Sequence, residues 1–221
     1  MSQVKSNEAK VAVIGLGNIG KVVATNLSKG NRPVIIADRK LEKAVAFSQT
    51  LGNGVRPLDL PTAIKEADII VLAIWFDAIK ELLTQYATEL GGKIIVDPSN
   101  PIAPDEKGGF KKVIGEKESA GEILSALLPK GAKLAKALGT LSAASLSGAA
   151  FQKPDAAVLF YATDETSINS DIEQLIRDSG FAPLRIGGID QSIRIEVFGD
   201  LHEFGALGKT VTLEEAGKKV L

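Results

Sequence analysis

The first forty residues of the chain alternate between short apolar runs and a stretch with apolar residues at helical spacing. An apolar run from Val11 to Ile14 is followed by Ile19, Val23 and Leu27, which recur at intervals of one helical turn. A second apolar run, 33–37, ends immediately before an acidic residue. Short apolar runs bounded by glycine or polar residues are typical of buried strands, and the periodic stretch is typical of an amphipathic helix. The pattern therefore predicts a strand, a helix and a second strand.

The same two patterns continue along the rest of the chain and predict a layered α/β protein. The predicted helices are 41–51, 61–67, a helix running from an N-cap at Asp77 to Leu90, 119–128, 168–179 and 189–198, and the further predicted strands are 55–57, 69–74, 93–96, 132–138, 156–162 and 181–186. Strands that alternate with helices favour a doubly wound parallel sheet. We expect this sheet over residues 9–140, with a smaller C-terminal α/β portion, 141–221, packed on it and a disordered tail at 1–8.

Composition narrows the classes of function. The chain has 221 residues with a formal net charge of −1, no cysteine and one histidine. The absence of a basic block argues against a nucleic-acid partner, and the absence of cysteine removes disulfides, thiolate catalysis and soft metal sites. With a single histidine, no histidine-rich metal site is expected. The polar N-terminus lacks a signal-peptide core, and no apolar run reaches the ~18 residues of a membrane span. We therefore expect a cytoplasmic protein with no membrane partner.

The turn between the first strand and the first helix carries the motif G-x-G-x-x-G, with Gly15, Gly17 and Gly20 as its glycines. In a Rossmann-like unit the first glycine permits the tight turn, the second lets the backbone approach a pyrophosphate, and the third lets the helix sit close to the strand. The helix N-terminus then offers free N–H groups to the phosphates. The motif in this strand–turn–helix–strand context predicts dinucleotide binding, with Asn18 and Ile19 inside the binding turn.

Cofactor choice depends on the residues that follow the second strand. Asp38 stands where an acid usually accepts hydrogen bonds from the adenosine ribose of NAD, while the adjacent Arg39 and Lys40 suit the 2′-phosphate of NADP. Both choices remain open on these residues alone.

Two segments are expected at the carboxyl ends of the strands, where open α/β sheets bind their ligands. One contains Trp75, which follows a buried strand and either packs in the core or forms a wall of the nicotinamide pocket. The other is the proline- and glycine-rich stretch DPSNPIAPDEKGGF, which begins at Asp97. A loop of this length inside a compact domain is more often functional than not. We take Ser99 of this loop as a cofactor residue.

His202 is the only side chain that titrates near neutral pH without a special environment. A lone histidine is commonly a surface or a satisfied buried residue, so the alternative is a structural role. We nevertheless take it as the one catalytic candidate, a hydrogen-bond donor on the substrate side.

Several segments together resemble the NADP oxidoreductase family that depends on coenzyme F-420 (F420 below), a deazaflavin. They are VIGLGNIG at 13–20, DRKLEKA at 38–44, LAIW at 72–75, IIVDPSNP at 94–101, the segment from Leu134 to Thr140, and GFAPLRIGGI at 180–189. The similarity extends over roughly residues 10–209.

The resemblance implies NADP on the glycine turn, its 2′-phosphate near Arg39, and a nicotinamide and flavin-type ring between the loops at 73–76 and 97–101 and the strand end near 137–140. Gly139 departs from the family, which usually has asparagine there, and Asp38 replaces a serine or threonine. The expected cofactor-binding residues are Gly15, Gly17, Asn18, Ile19, Gly20, Asp38, Arg39, Lys40, Ala73, Ile74, Trp75, Pro98, Ser99 and Asn100.

The implied function is hydride transfer between NAD(P) and a flavin or deazaflavin acceptor, catalysed by a homodimer. Such a reaction is largely the chemistry of the two rings, which agrees with the lack of an evident acid–base pair. Two alternatives remain open. An NAD(P)-dependent reductase of a small carbonyl or imine would need a proton donor, for which only His202 or Tyr161 is available, and a non-catalytic dinucleotide-sensing module would need none.

Overall fold

The apolar runs assemble into one central sheet. The computed structural model describes residues 8–106 and 108–220, and within them an eight-stranded sheet has the order β10-β9-β8-β5-β4-β1-β2-β3. Its strands are β1 Val11–Ile14, β2 Val34–Ala37, β3 Val55–Pro57, β4 Ile69–Leu72, β5 Ile94–Asp97, β8 Lys133–Lys136, β9 Val158–Ala162 and β10 Ala182–Gly187. Two further short strands, β6 Ile102–Pro104 and β7 Phe110–Lys112, form a separate antiparallel hairpin.

In the sheet, each pair of neighbouring strands in the series β8-β5-β4-β1-β2-β3 is parallel, as the alternation of strands and helices predicts. The predicted α/β class with a doubly wound, mostly parallel sheet is therefore confirmed. The last two strands, β9 and β10, are parallel to each other, and β9 joins β8 in an antiparallel sense at a single pair, Lys136 with Ala162. Because these are the last residues of their strands, β9 begins beyond the carboxyl end of β8.

The C-terminal portion expected at 141–221 thus contributes two strands to the same sheet and also extends past the carboxyl ends of its neighbours. The boundary at residue 140 stays a prediction. Of the tail expected at 1–8, residues 1–7 lie outside the described part of the chain. Glu8 is described and forms an ion pair with the buried Arg32.

Helices cover both faces of the sheet. They are α1 Asn18–Lys29, α2 Leu41–Ser48, α3 Leu60–Glu66, α4 Phe76–Gln85, α5 Ala120–Ala126, α6 Ala143–Gly148, α7 Asn169–Asp178 and α8 Leu213–Val220. Successive strand residues point to opposite faces. Accordingly, Val11 and Val13 belong to the core layer under α1 and α7, while Ala12 and Ile14 belong to the layer under α3 and α4.

The start of α4 differs from the prediction. Asp77 is not the N-cap, because Trp75 occupies that position in an extended conformation and makes no side-chain capping bond. Asp77 lies in the first turn, where its carboxylate is 2.6 Å from the ammonium of Lys80 and its charge complements the helix dipole. An acidic residue is favourable both at the N-cap and in the first turn of a helix, so the sequence alone did not show which of the two positions Asp77 occupies.

Four later segments also differ from the prediction. The long loop after β5 contains the β6–β7 hairpin, and residues 189–195 form a 3-10 helix in place of the expected α-helix over 189–198. The other two, α6 and α8, were not predicted. The 3-10 segment lies tightly against α5, since a Cβ on Gly121 would be 2.4 Å from the hydroxyl oxygen of Ser192. This tertiary contact is invisible in the periodicity of the segment.

Candidate functional site

The glycine turn after β1 is shaped by two close backbone approaches. Gly15 has φ +94°, a left-handed conformation that suits glycine, and a Cβ there would lie 2.5 Å from the carbonyl oxygen of Ala73 and 2.4 Å from Ile74. A Cβ on Gly20 would lie 1.8 Å from the carbonyl oxygen of Gly15. These two glycines therefore bring β1, α1 and the loop after β4 into contact.

Gly17 differs from the other two glycines because nothing in the protein crowds it. A Cβ at this position would have no heavy atom within 4 Å, and both Gly17 and Asn18 are exposed. The protein's own packing does not require glycine here, so the open space suits the close approach of an external group. Gly17 is also the N-cap of α1, with no side-chain cap and no acidic residue in the first turn. That helix end is consequently suited to an anion.

Asp38 is bound to the glycine turn. Its Oδ2 accepts a hydrogen bond of 3.0 Å from the backbone N–H of Leu16 and lies 3.1 Å from the ammonium of Lys43. Burial acts to raise the pKa of Asp38, but the bonds from Leu16, Lys43 and Lys40 outweigh it and hold the pKa below its usual value. The carboxylate is therefore ionised and already occupied by the protein.

Three basic residues follow this carboxylate in the sequence. Arg39 and Lys40 are exposed, and Lys43 on the first turn of α2 is about half-exposed. Sequence reasoning missed Lys43, although its place in the first turn of the following helix could have indicated that it returns to the strand end.

The loop after β4 joins the glycine turn through Ala73 and Ile74. Trp75 is 65% exposed, whereas the adjacent Phe76 is buried. Core packing is therefore excluded as the role of Trp75. Its place at the nicotinamide remains a prediction.

The loop after β5 is held down by hydrogen bonds. Pro98 and Ser99 are buried, and the Ser99 backbone N–H donates to Asp97 Oδ1 at 2.7 Å. Asn100 ties three segments together, because its Nδ2 donates to the Gly139 carbonyl at 3.1 Å and its Oδ1 accepts from the Val197 N–H at 2.7 Å. The amide of Asn100 shapes this edge of the sheet and is engaged by the protein itself.

Position 139 requires glycine because the loop after β5 passes close to it. A Cβ there would lie 2.3 Å from the carbonyl oxygen of Pro98, so any side chain would force the two loops apart. Leu138, the residue before it, is buried with φ +66°, an unusual conformation for a bulky side chain. The loops after β5 and β8 are therefore in direct backbone contact.

Beneath these loops lies a buried ionic cluster that sequence reasoning did not find. The Lys136 ammonium is 2.6 Å from Asp97 Oδ2 and 3.8 Å from Glu196 Oε1, and it also donates to the Ser99 carbonyl. Glu196 accepts backbone bonds of 3.0 Å from Ala120 and Gly121 at the start of α5. Burial raises the pKa of Glu196 despite these partners. The sequence did contain one indication of this cluster, because Asp97 and Lys136 are charged residues at the ends of the buried strands β5 and β8.

His202 is an interior residue, only 1% exposed. Its Nε2 donates to the Gly139 carbonyl at 3.1 Å, and its Nδ1 accepts from the Phe204 N–H at 2.9 Å. These partners require the neutral tautomer with its proton on Nε2, and burial lowers the pKa of His202 to about 4. The predicted role of His202 as a substrate-side donor is contradicted, because both ring nitrogens are occupied inside the protein.

The expected site residues thus form a row along the carboxyl edge of the sheet. Asp38 follows β2, the glycine turn follows β1, Ala73 to Trp75 follow β4, and 98–100 follow β5. The crevice where the order of strands reverses lies between β1 and β4, the usual ligand position in such sheets. The row is continuous from the basic residues to Gly139.

Comparison with known proteins agrees with this arrangement. Residues 10–101 match the family model described as NADP oxidoreductase, coenzyme F420-dependent. The chain is 29% identical to the solved structure of a hypothetical protein from Sinorhizobium meliloti, with a TM-score of 0.80 over 92% of this chain and 95% of that one. Of the part of the chain that the structure describes, no helix has the length and apolar character to cross a membrane.

Two curated relatives match over a smaller share of their own length. Metalloreductase STEAP3 of Rattus norvegicus is 23% identical over 89% of this chain and 37% of its own length. The F420-dependent NADP reductase of Methanocaldococcus jannaschii is 30% identical over 42% of this chain and 46% of its own length. The chain spans less than half the length of either relative. The resemblance inferred from the sequence is confirmed for residues 10–101, which match the model of the F420-dependent NADP oxidoreductase family.

Proposed function

We propose that this chain is an NADP-dependent oxidoreductase that transfers hydride between the nicotinamide and a flavin or deazaflavin ring such as coenzyme F420. The observation that carries the choice of acceptor is that both candidate proton donors are engaged. His202 is buried and bonded at both ring nitrogens, and the Tyr161 hydroxyl donates to Glu173 at 3.0 Å. Burial and the Glu173 carboxylate also raise the pKa of Tyr161. A carbonyl or imine reductase would need such a donor free, whereas transfer between two rings does not.

The residues of the turn fit a dinucleotide. Gly15 to Ile19 would hold the pyrophosphate against the uncapped N-terminus of α1, with Gly17 giving the backbone access. Because Asp38 is committed to Leu16 and Lys43, Arg39 and Lys40 are left to bind a 2′-phosphate, with Lys43 close by. This division of roles supports NADP over NAD.

The loops after β4 and β5, at the other end of the row from Arg39 and Lys40, would hold the nicotinamide. Bound there, NADPH supplies the hydride, and the protein's part is to position the ring and exclude water. Ala73 and Ile74 would line its ribose side, and the exposed Trp75 would cover one face. The loop after β5 would contact the ring through Pro98, Ser99 and Asn100. The buried ion cluster beneath this loop fixes its conformation.

A single assay tests the proposal. NADPH and NADH oxidation would be followed with coenzyme F420, FMN, FAD and a panel of small imines and ketones. We expect oxidation of NADPH only with the tricyclic rings. Turnover of an imine or ketone would favour the carbonyl or imine reductase, and tight nucleotide binding without any turnover would favour a sensing module. The expected homodimer and cytoplasmic location stay predictions.

Arg39→Ala tests the cofactor assignment. Loss of a charge-assisted bond to the 2′-phosphate should raise the KM for NADPH about tenfold or more and leave the KM for NADH unchanged. Arg177→Ala is the matched control, because Arg177 is exposed on the last turn of α7 and pairs with Glu173. Equal effects of Arg39→Ala on the two nucleotides would show that Arg39 does not read the phosphate.

A further inference from the structure

Two large aromatic rings are exposed on one short segment near this site. Phe198 and Phe204 are 53% and 55% exposed, and both belong to residues 196–205, which we call the aromatic segment. Its backbone folds back on itself, since a Cβ on Gly205 would lie 1.8 Å from the Gly199 carbonyl oxygen and 2.9 Å from the carbonyl carbon of Phe198. The backbone therefore brings the attachment points of the two rings close together.

The aromatic segment is anchored at every turn. Glu196 bonds to the start of α5, and Val197 donates to Asn100. His202 bonds to Gly139 and to the Phe204 N–H. Glu203 accepts from the Ser142 N–H at 2.6 Å and from the Ser145 hydroxyl. A segment held by so many buried and part-buried hydrogen bonds has a fixed backbone, so the exposure of its two rings follows from the fold.

The backbone at Phe198 is itself unusual. Its φ of +74° lies in the left-handed region, which bulky residues rarely adopt and which persists only where the surroundings enforce it. Such conformations cluster at binding sites. Here it accompanies a ring that the protein does not pack against its core.

The position of the aromatic segment follows from the sheet order. β4, β5 and β8 are neighbours, and the proposed nicotinamide site lies at the loops after β4 and β5. Asn100 and Gly139, which end this row, bond directly to Val197 and His202. The aromatic segment is therefore attached to the loops after β5 and β8, next to the proposed nicotinamide position and at the opposite end of the row from the basic residues.

We propose that Phe198 and Phe204 form the binding surface for the hydride acceptor, and that they bind a planar tricyclic ring by stacking and edge contacts. The proposal rests on the function proposed above and names the residues that receive its acceptor. Aromatic side chains suit flat, conjugated rings because they offer large apolar contact with a preferred stacking geometry.

Equilibrium binding tests this surface without requiring turnover. Quenching of the fluorescence of FMN and of coenzyme F420 would be titrated in two separate arms with the full chain. We expect Phe198→Ala and Phe204→Ala each to raise the Kd of the preferred ring about tenfold, which corresponds to about 1.4 kcal/mol. The Kd for NADPH should stay unchanged. If either alanine variant fails to fold by circular dichroism, Phe198→Leu and Phe204→Leu keep the apolar volume and remove the π face.

Phe151→Ala is the matched control. Phe151 is 41% exposed and also has a positive φ, +61°, but it lies beside Gly180 after the end of α6. An equal loss of ring binding in Phe151→Ala would overturn the proposal, as would failure of the wild-type chain to bind either ring. A change in oligomeric state with unchanged Kd would assign the rings to an interface between copies and also overturn it.

The two proposals fail in different ways. NADPH oxidation by flavins that is insensitive to both phenylalanine variants would reject the aromatic surface and leave the oxidoreductase function standing. Ring binding that depends on Phe198 and Phe204, without NADPH oxidation, would reject the function and leave the surface standing.

Discussion

Acidification should destabilise this protein through His202, and the effect has a defined size. In the folded chain the imidazole is neutral with a pKa of about 4, against an ordinary value of 6.5. As the pH falls below about 6.5, the unfolded chain takes up a proton that the folded chain refuses, so the free energy of unfolding decreases. The decrease ends near pH 4, where the folded histidine is protonated as well. Each pH unit in this interval corresponds to about 1.4 kcal/mol, about 3 kcal/mol in total.

The variant His202→Asn isolates this contribution. Its amide oxygen can accept the Phe204 N–H two residues on, as asparagine commonly does in turns, but it does not titrate. At about pH 7.5 the lost ring volume and the lost bond to Gly139 should make the variant about 2–3 kcal/mol less stable. At about pH 5 the wild-type advantage should have fallen by about 2 kcal/mol.

Urea unfolding at a series of pH values measures this difference. Far-ultraviolet circular dichroism is the better probe, because the only tryptophan, Trp75, is largely exposed in the folded state. Glu203 and Lys136, the charged groups that influence His202, are present in both proteins and largely cancel in the comparison. A wild-type advantage that stays constant from about pH 7.5 to about pH 5 would show that His202 is not held neutral, and the argument would be refuted.

Two further substitutions test the turn and the ion cluster. Gly17→Ala should fold with a loss of no more than about 1 kcal/mol yet bind NADPH much more weakly, since the added Cβ meets only the ligand; Gly20→Ala should instead lower the melting temperature sharply. Equal melting temperatures with equal NADPH affinities would contradict this division. Lys136→Met should cost about 3–5 kcal/mol in urea unfolding by leaving Asp97 and Glu196 buried without their cation, and adding Asp97→Asn should recover part of it. No recovery in the double variant would mean that Asp97 is not the stranded charge.

Local patterns predicted much of the N-terminal half. The first strand, glycine turn, helix and second strand occur where periodicity places them, because short-range hydrogen bonding and burial both favour that result. The spacing of three glycines also indicated where backbones approach. It did not distinguish Gly15 and Gly20, where an added Cβ would clash with the protein, from Gly17, where an added Cβ would meet no heavy atom within 4 Å.

The residues beyond residue 97 were harder to predict because their partners are distant in sequence. Asn100 forms hydrogen bonds with Gly139 and Val197, and Lys136 forms ion pairs with Asp97 and Glu196. No local period encodes such pairs. His202 is the plainest case, since a donor role and a buried structural role require the same residue and differ only in what surrounds it.

The sequence by itself therefore determined the class of fold, the position of the glycine turn and the family resemblance. These depend on periodicity and on glycines a few residues apart, which act within one or two elements. Tertiary structure alone decided that Asp38 is occupied by the protein, that Trp75 is exposed, and that His202 is neutral and buried. Each of these depends on burial and on hydrogen-bond partners brought together by the sheet, and those surroundings set the free energy of a charge or a polar group.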